Sequence, residues 1–332
     1  MDSTRDADGF AVPGPPLSTG SRPRANLGSA SSADTGFSSG SSRSFGKSLV
    51  EDPFYRDMNL AANNIYLRSS REQFPEHVSD LIDHVRRDRD SPEPSQDQVR
   101  QDDTLEGLRI GSVEAQVEDY FGKYFFLEPA PNDVLGRARG LPMARHTVPN
   151  SGSHLKVSNP APDMLFGYDR GAAFPEQQAQ LISMGVEMVA NSQSLLYPFF
   201  VIEFKAVGPS GSGSLWAAVN QCLGAAAACV NVTERLQHRL RTCQVDHSQP
   251  INTASFSIAM TGTEAQLYVS WKHDERNYYM ANVRSFLLHD PEHYIEFRKY
   301  VRNILDWGKD RRLNEIRDSL HILMEESRKK GF

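Results

Sequence analysis

The sequence predicts an α/β domain in which a central mixed sheet is flanked by helices. Three observations carry that expectation. Within LYPFFVIEFKAVG (196–208), the run from Tyr197 to Ile202 has no charge, as in a strand buried on both faces. From Leu215 to about Leu240 the chain reads LWAAVNQCLGAAAACVNVTERLQHRL, a long helix rich in small residues. Helical and strand-like patterns also follow one another as helix, strands, long helix, strands.

Residues 1–50, exemplified by STGSRPRANLGSASSADTGFSSGSSRSFG, are dominated by Ser, Gly, Pro and Ala and read as a disordered tail. Residues 51–104 read as a helical extension and linker. DPFYRDMNLAANNIYL supplies aromatic anchors, and Pro75 opens a helix with Val78, Leu81, Ile82 and Val85 on one face. RRDRDSPEPSQDQVRQDD (86–103) is polar and reads as a surface loop. The main domain is expected over 105–325. Ser112 is the expected N-cap of a helix bearing Val113, Val117, Tyr120, Phe121, Tyr124 and Phe125 on one side. Strands are expected at HLKV (154–157) and in PDMLFGY (162–168), and a helix over about 175–193. After the apolar strand, GPSGSGS (208–214) forms a turn. Beyond the long helix, ASFSIAMTGTEAQLYVSWKH forms a hairpin turning at Thr261-Gly262-Thr263. A last helical region opens at Asp290-Pro291, carries Tyr294, Phe297, Val301, Ile304 and Leu305, and continues brokenly past Gly308.

Composition narrows the function classes. The chain has 332 residues, 39% hydrophobic and 23% charged, the profile of a soluble globular protein with a polar tail. No run approaches the roughly 18 apolar residues of a membrane span, and MDSTRDADGF lacks the pattern of a secretory signal. Cys222, Cys229 and Cys243 are too few for a disulfide framework, so an intracellular location, nuclear or cytoplasmic, is expected. In that setting the sequon Asn231-Val232-Thr233 is a coincidence. A net charge of −6 argues against general adhesion to nucleic acid and leaves room for a local basic groove.

The chemistry concentrates where the apolar strand ends. Glu203 and Lys205 alternate with Phe204, so the two charges share a face. An unpaired carboxylate there is costly; a lysine, another protein charge or a metal ion relieves it. A strand emerging into water, with a weak surface ion pair, is the plain alternative. Asp163, after Pro162, immediately precedes the apolar run MLF. Pro-Asp is by itself a common turn. Two carboxylates from adjacent strand ends, with the backbone carbonyl of Phe204 and waters, would form an oxygen site for Mg²⁺. Such a site activates water and stabilises charge on a phosphodiester, with Lys205 neutralising the transition state. Gln221 is the one polar amide on a helix face of small residues (Ser214, Ala217, Ala218, Gly224, Ala225, Ala228).

Pro162-Asp163, Glu203-Phe204-Lys205 and Gln221 resemble the PD-(D/E)XK nuclease superfamily, with its restriction-endonuclease-like fold. The order of DPFYRDMNLAANNIYL, PDMLFGY, YPFFVIEFKA and LWAAVNQCLGAAAACVN is similar to an uncharacterised fungal PD-(D/E)XK nuclease-like family over about 52–310. The resemblance implies an αβββαβ core and hydrolysis of nucleic acid, with DNA the expected substrate, dependent on Mg²⁺ or Mn²⁺. It makes Asp163 and Glu203 metal ligands, Lys205 the catalytic lysine, Gln221 an active-site support and Glu114 the acidic residue of the first helix. Homodimerisation would suit cutting of two strands. The sequence departs from some branches at Ala225, where a Tyr stands in them.

Other chemistries lack their signatures. VIEFK has neither the Gly-rich loop nor the HRD and DFG motifs of a kinase. The GxSxG match GFSSG (36–40) lies in the Ser/Gly tail without the strand and helix of an elbow. Among His238, His247, His273, His289 and His293 none forms HExxH; His289 and His293 are four apart but with Asp290 in place of the Glu. The competing reading is a nuclease fold that no longer cuts and serves as a nucleic-acid- or protein-binding module. Arg235, Arg239 and Arg241, and separately Arg298, Lys299 and Arg302, are the candidate basic patches, or else solvated helix faces.

Overall fold

The computed structural model describes residues 48–89, 93–206, 214–243 and 251–329. Nearly all of the expected tail and most of the 208–214 turn lie outside them. Strand β1 (Ile65–Arg68) follows three short helical turns that begin at Leu49. Next come helices α1 (Glu76–Arg86), α2 (Gln96–Arg100), α3 (Asp103–Ile110) and α4 (Glu114–Tyr124), then strands β2 (Leu135–Arg139) and β3 (Met164–Tyr168). Short α5 (Arg170–Ala173) and α6 (Gln178–Ser183) precede strand β4 (Leu196–Phe204) and the long helix α7 (Leu215–Thr242). Strands β5 (Ser255–Met260), β6 (Glu264–Lys272) and β7 (Tyr278–Leu287) lead into α8 (Pro291–Trp307), a π-helical turn, and α9 (Leu313–Lys329).

The strands form one seven-stranded sheet in the order β1-β7-β6-β5-β4-β3-β2. Pairing is parallel at β1–β7 and β4–β5 and antiparallel elsewhere, so the sheet is mixed. Apart from the short α5 and α6 between β3 and β4, the order from α4 to β5 is α, three strands, α, strand, which is αβββαβ. Every residue of β4 is buried, as its uncharged run requires. Phe200, Ile202 and Phe204 face an aromatic layer with Phe121, Phe126 and Phe297, while Val201 faces the small residues of α7. By length and composition α7 could cross a membrane, yet 78% of its most apolar window is buried within the protein, as befits a core helix.

Several expectations are corrected. Residues 154–157 are not a strand: Asn59 and Asn63 side chains donate to the carbonyls of Lys156 and Leu155, at 2.8 and 2.6 Å, and occupy the groups a ladder would use. The strand that precedes β3 and pairs with its outer side is β2. The helix expected over 175–193 lasts only through α6, because the chain turns left-handed at Gly185 (φ 68°). Ser112 does not cap α4; Val113 holds the N-cap position, its N–H satisfied by Gln116 Oε1 at 3.1 Å. Val113 and Tyr124, expected on the buried face, are exposed. Val50, placed in the tail, is buried. The polar stretch 86–103 contains α2 and the start of α3.

The helix at Pro75 and the hairpin at Thr261-Gly262-Thr263 form as expected, as does the helix N-capped by Asp290. A Cβ on Gly262 would lie 2.9 Å from that of Leu108, so this turn needs glycine to sit against α3. The segment 51–104 contributes β1 to the sheet edge, and α1 packs on α8; both belong to the compact unit Lys47–Phe332.

Candidate active site

Register assembles the site. Met164 pairs with Ile202 in antiparallel β3 and β4, so one step outward Asp163 stands opposite Glu203. Asp163 Oδ2 accepts the Phe204 N–H at 2.7 Å, and Asp163 O accepts the Gly140 N–H at 3.1 Å, which fixes the carboxyl at the strand end. Phe204 points away, its ring 6.1 Å from that of Phe126. Glu203 and Lys205 therefore share the α7 face.

The electrostatics are those of crowded, desolvated acids. Glu203 is 1% exposed, and its Oε2 has no hydrogen-bond partner among the described residues. Burial, then the adjacent Asp163 charge, pushes its carboxyl well above the usual range, opposed by Lys205. Asp163 is also raised, first by burial, with Lys205 and the Phe204 N–H pulling the other way. Hydrogen bonding between the two carboxyls favours a proton on Glu203 and charge on Asp163. Lys205 Nζ, nearly buried, donates to its neighbouring Phe204 carbonyl at 2.5 Å and lies 3.5 Å from Glu114 Oε2. Glu114, on the first turn of α4, is raised by burial against the pull of Lys205.

The sequence-derived residues thus divide. Asp163, Glu203, Lys205 and Glu114 come together at one end of the sheet. Gln221 lies on α7 beside the 158–161 segment that leads into Asp163, and both line a cavity of about 170 Å³. Its Oε1 is buried without a partner, and no hydrogen bond joins it to either carboxyl among the described residues. The next residue, Cys222, is fully buried, and its thiol is raised well above its ordinary value by burial and by Glu203.

The sequence reading overlooked two supports. Arg56 donates to Asn220 Oδ1 and stacks on Trp216 with its guanidinium 5.0 Å from the ring, while Asn220 donates to Val50 O at 2.7 Å. Tyr55 OH accepts the Ser158 N–H at 3.0 Å. The early segment thereby ties the helix carrying Gln221 to the loop preceding Asp163. The aromatic anchors of DPFYRDMNL were its signal. Glu118, one turn beyond Glu114, binds Arg139 at 2.6 Å and adds to the negative field on Asp163.

Two buried, mutually repelling carboxyls suit a hard divalent cation, which would take the place of the shared proton. Among the described residues no three His, Cys, Asp or Glu side chains form a metal-holding group, so water or substrate oxygens would complete the shell. The Phe204 carbonyl, an expected ligand, is engaged by Lys205.

The basic clusters lie elsewhere. Arg235 is 14 residues along α7 from Gln221, about 21 Å at the helical rise. Arg298 and Arg302 pair with Glu93 at 3.4 and 2.9 Å, and Lys299 with Asp88 at 2.9 Å, so that patch is neutralised within the chain.

No curated protein matches the sequence. A family model described as a domain of unknown function, DUF7924, matches residues 124–320, more than half of the chain, and the chain belongs to that family.

Proposed function

We propose that the protein is a metal-dependent nuclease of the PD-(D/E)XK type, hydrolysing phosphodiester bonds of nucleic acid. The observation that carries this reading is the register: Asp163 faces Glu203 across adjacent strand ends, with Lys205 two residues on. Bound by Asp163 and Glu203, Mg²⁺ or Mn²⁺ would supply Lewis acidity and a water of lowered pKa. Lys205 would place its ammonium where charge develops on the scissile phosphate. Glu114, 3.5 Å from that ammonium, would hold it in place, and Gln221 would present its free amide oxygen to water or substrate. Burial of Glu203 keeps bulk water from screening these charges.

The test is cleavage of single- and double-stranded DNA and RNA with Mg²⁺ or Mn²⁺. Asp163→Ala and Lys205→Ala should each lower the rate at least a hundredfold while the far-ultraviolet spectrum stays unchanged. Equal cutting by wild type and both variants would sink the reading.

The reading in which the fold binds without cutting draws on a different observation. Lys205 Nζ rests on the Phe204 carbonyl, and a lysine locked there would withhold both a ligand and the catalytic ammonium. A folded protein that cuts no substrate and takes up no Mn²⁺ would favour that alternative.

A further inference from the structure

At the end of α7 remote from Glu203 lies a crevice of about 920 Å³ between the helix and the β6–β7 turn. It shares Asn231, Arg235 and Glu275 with a neighbouring crevice of about 660 Å³ that is also lined by Arg145 and Arg276. Asn231, Glu234, Arg235, His238 and Arg241 fall at helical spacing on one stripe of α7.

The acids of this region are largely committed. Glu187 binds Arg239 at 2.8 Å, and Glu234 accepts from Thr253 Oγ1 at 2.6 Å, 3.9 Å from Lys272 Nζ. Asp274 spends Oδ1 on the N–H groups of Arg276 and Asn277, each at 2.8 Å, within its own turn. Glu275 is exposed. Four arginines remain without a carboxylate partner among the described residues: Arg145, Arg235, Arg241 and Arg276. Arg145 and Arg235 reach only backbone carbonyls, those of Val157 and His146. His146 Nε2, in the same lining, is buried without a partner.

Of the four only Arg241 lies in the last turn of α7, so the helix dipole does not account for the others. Planar guanidinium forks line the two adjoining crevices, Arg241 the larger, Arg145 and Arg276 the smaller and Arg235 both. Such forks match phosphate oxygens, which they bind in bidentate fashion. We infer that this crevice binds phosphate groups, carried by a nucleic-acid strand or by a small polyphosphate. The inference is independent of the nuclease reading, because the crevice is remote from Asp163 and Glu203.

Fluorescence anisotropy with the full chain in EDTA tests it, using a labelled 20-nucleotide DNA strand as probe and inorganic tripolyphosphate as competitor. The variants are Arg241→Ala/Arg276→Ala, both exposed positions, and Arg100→Ala, an exposed arginine of α2 outside both crevices, as the control. The strand should bind at least tenfold more weakly to the double variant and equally well to Arg100→Ala. The slope of log affinity against log salt should fall by about 1.4, at roughly 0.7 per lost single-strand phosphate contact. Tripolyphosphate that binds, and binds more weakly to the double variant, while the strand does not bind would identify a small polyphosphate as the ligand. No binding of either probe, or affinities unchanged in the double variant, would overturn the inference.

Discussion

Glu203 and Arg312 are both ionisable and both removed from water, at 1% and 0% exposure, yet their surroundings are opposite. Arg312 is surrounded by neutral acceptors and rings. Its Nη1 donates to Tyr168 OH at 3.2 Å and to Tyr197 O at 3.1 Å, and its Nη2 to Thr233 Oγ1 at 2.9 Å. The guanidinium lies 5.1 Å from the Phe199 ring and 5.7 Å from that of Trp307. Glu203 instead has a second carboxyl beside it and an oxygen without a partner. The first arrangement gives both terminal nitrogens neutral acceptors, leaves only Nε without a partner among the described residues, and closes the core around the π-helical turn. The second is repulsive and stores chemistry. A buried charge is structural when its neighbours satisfy it and poised for function when they oppose it.

Arg312→Ala should break the comparison on the structural side with the largest effect. It leaves a cavity and strips the buried Tyr197 carbonyl of the Arg312 N–H, costing about 3–5 kcal/mol. The melting temperature should fall by roughly 10 °C in a thermal scan, with no change in any metal response. A shift of only a degree or two would mean that the aromatic cage repacks and that Arg312 is dispensable.

Glu203→Gln should act in the opposite sense. A carboxyl whose folded pKa stands above its usual value of 4.5 stabilises the fold while it keeps its proton. That contribution is full below 4.5 and is lost as the pH climbs toward the folded pKa. The amide variant has no proton to lose, so its stability relative to wild type should rise between pH 5 and pH 8, by up to about 1.4 kcal/mol per pH unit. Urea unfolding at both pH values measures this. Adding Mg²⁺ at a hundredfold its Kd should stabilise wild type by about 2.7 kcal/mol and leave Glu203→Gln unmoved. A pH-independent difference between the two proteins would show that the carboxyl is not raised.

Much of this contrast was legible in the sequence on one side only. Tyr197–Ile202 announced a doubly buried strand, and alternation put Glu203 and Lys205 on one face. Asp163 before MLF announced a second strand end, and antiparallel register did the rest. Arg312 gave no such signal: in GKDRRLNE it reads as one more surface cation, and only the π-helical turn rotates it inward. One edge of the sheet, and the strand next to the other edge, were also hidden. Strand β2, LGRAR, is short and carries two arginines, and β7, YYMANVRSFL, mixes buried and exposed positions without strict alternation. HLKV misled because its alternation is real but its partners are asparagine side chains. Gln221 was read correctly as a protruding amide, but how near it stands to the carboxyls depends on the helix–sheet approach, which spacing does not encode.

Glu114 sharpens the comparison at its smallest scale. It lies 3.5 Å from Lys205 Nζ but its side chain is 36% exposed, so the pair sits at the boundary between the buried site and water. Solvent screening limits such a pair to less than about 1 kcal/mol. Because its carboxyl, like that of Glu203, stands above its usual value, Glu114→Gln should change stability by less than that, with the amide slightly the more stable protein at neutral pH. If Glu114 only positions the lysine, its loss should slow cleavage less than Lys205→Ala does, and Mg²⁺ should still stabilise the variant. A Glu114→Gln protein as inactive as Lys205→Ala, and no longer stabilised by Mg²⁺, would instead make Glu114 a third carboxylate in contact with the metal. The buried Asp163–Glu203 pair would then be only part of the binding site, and the boundary between poised and solvated charge would move outward by one helix turn.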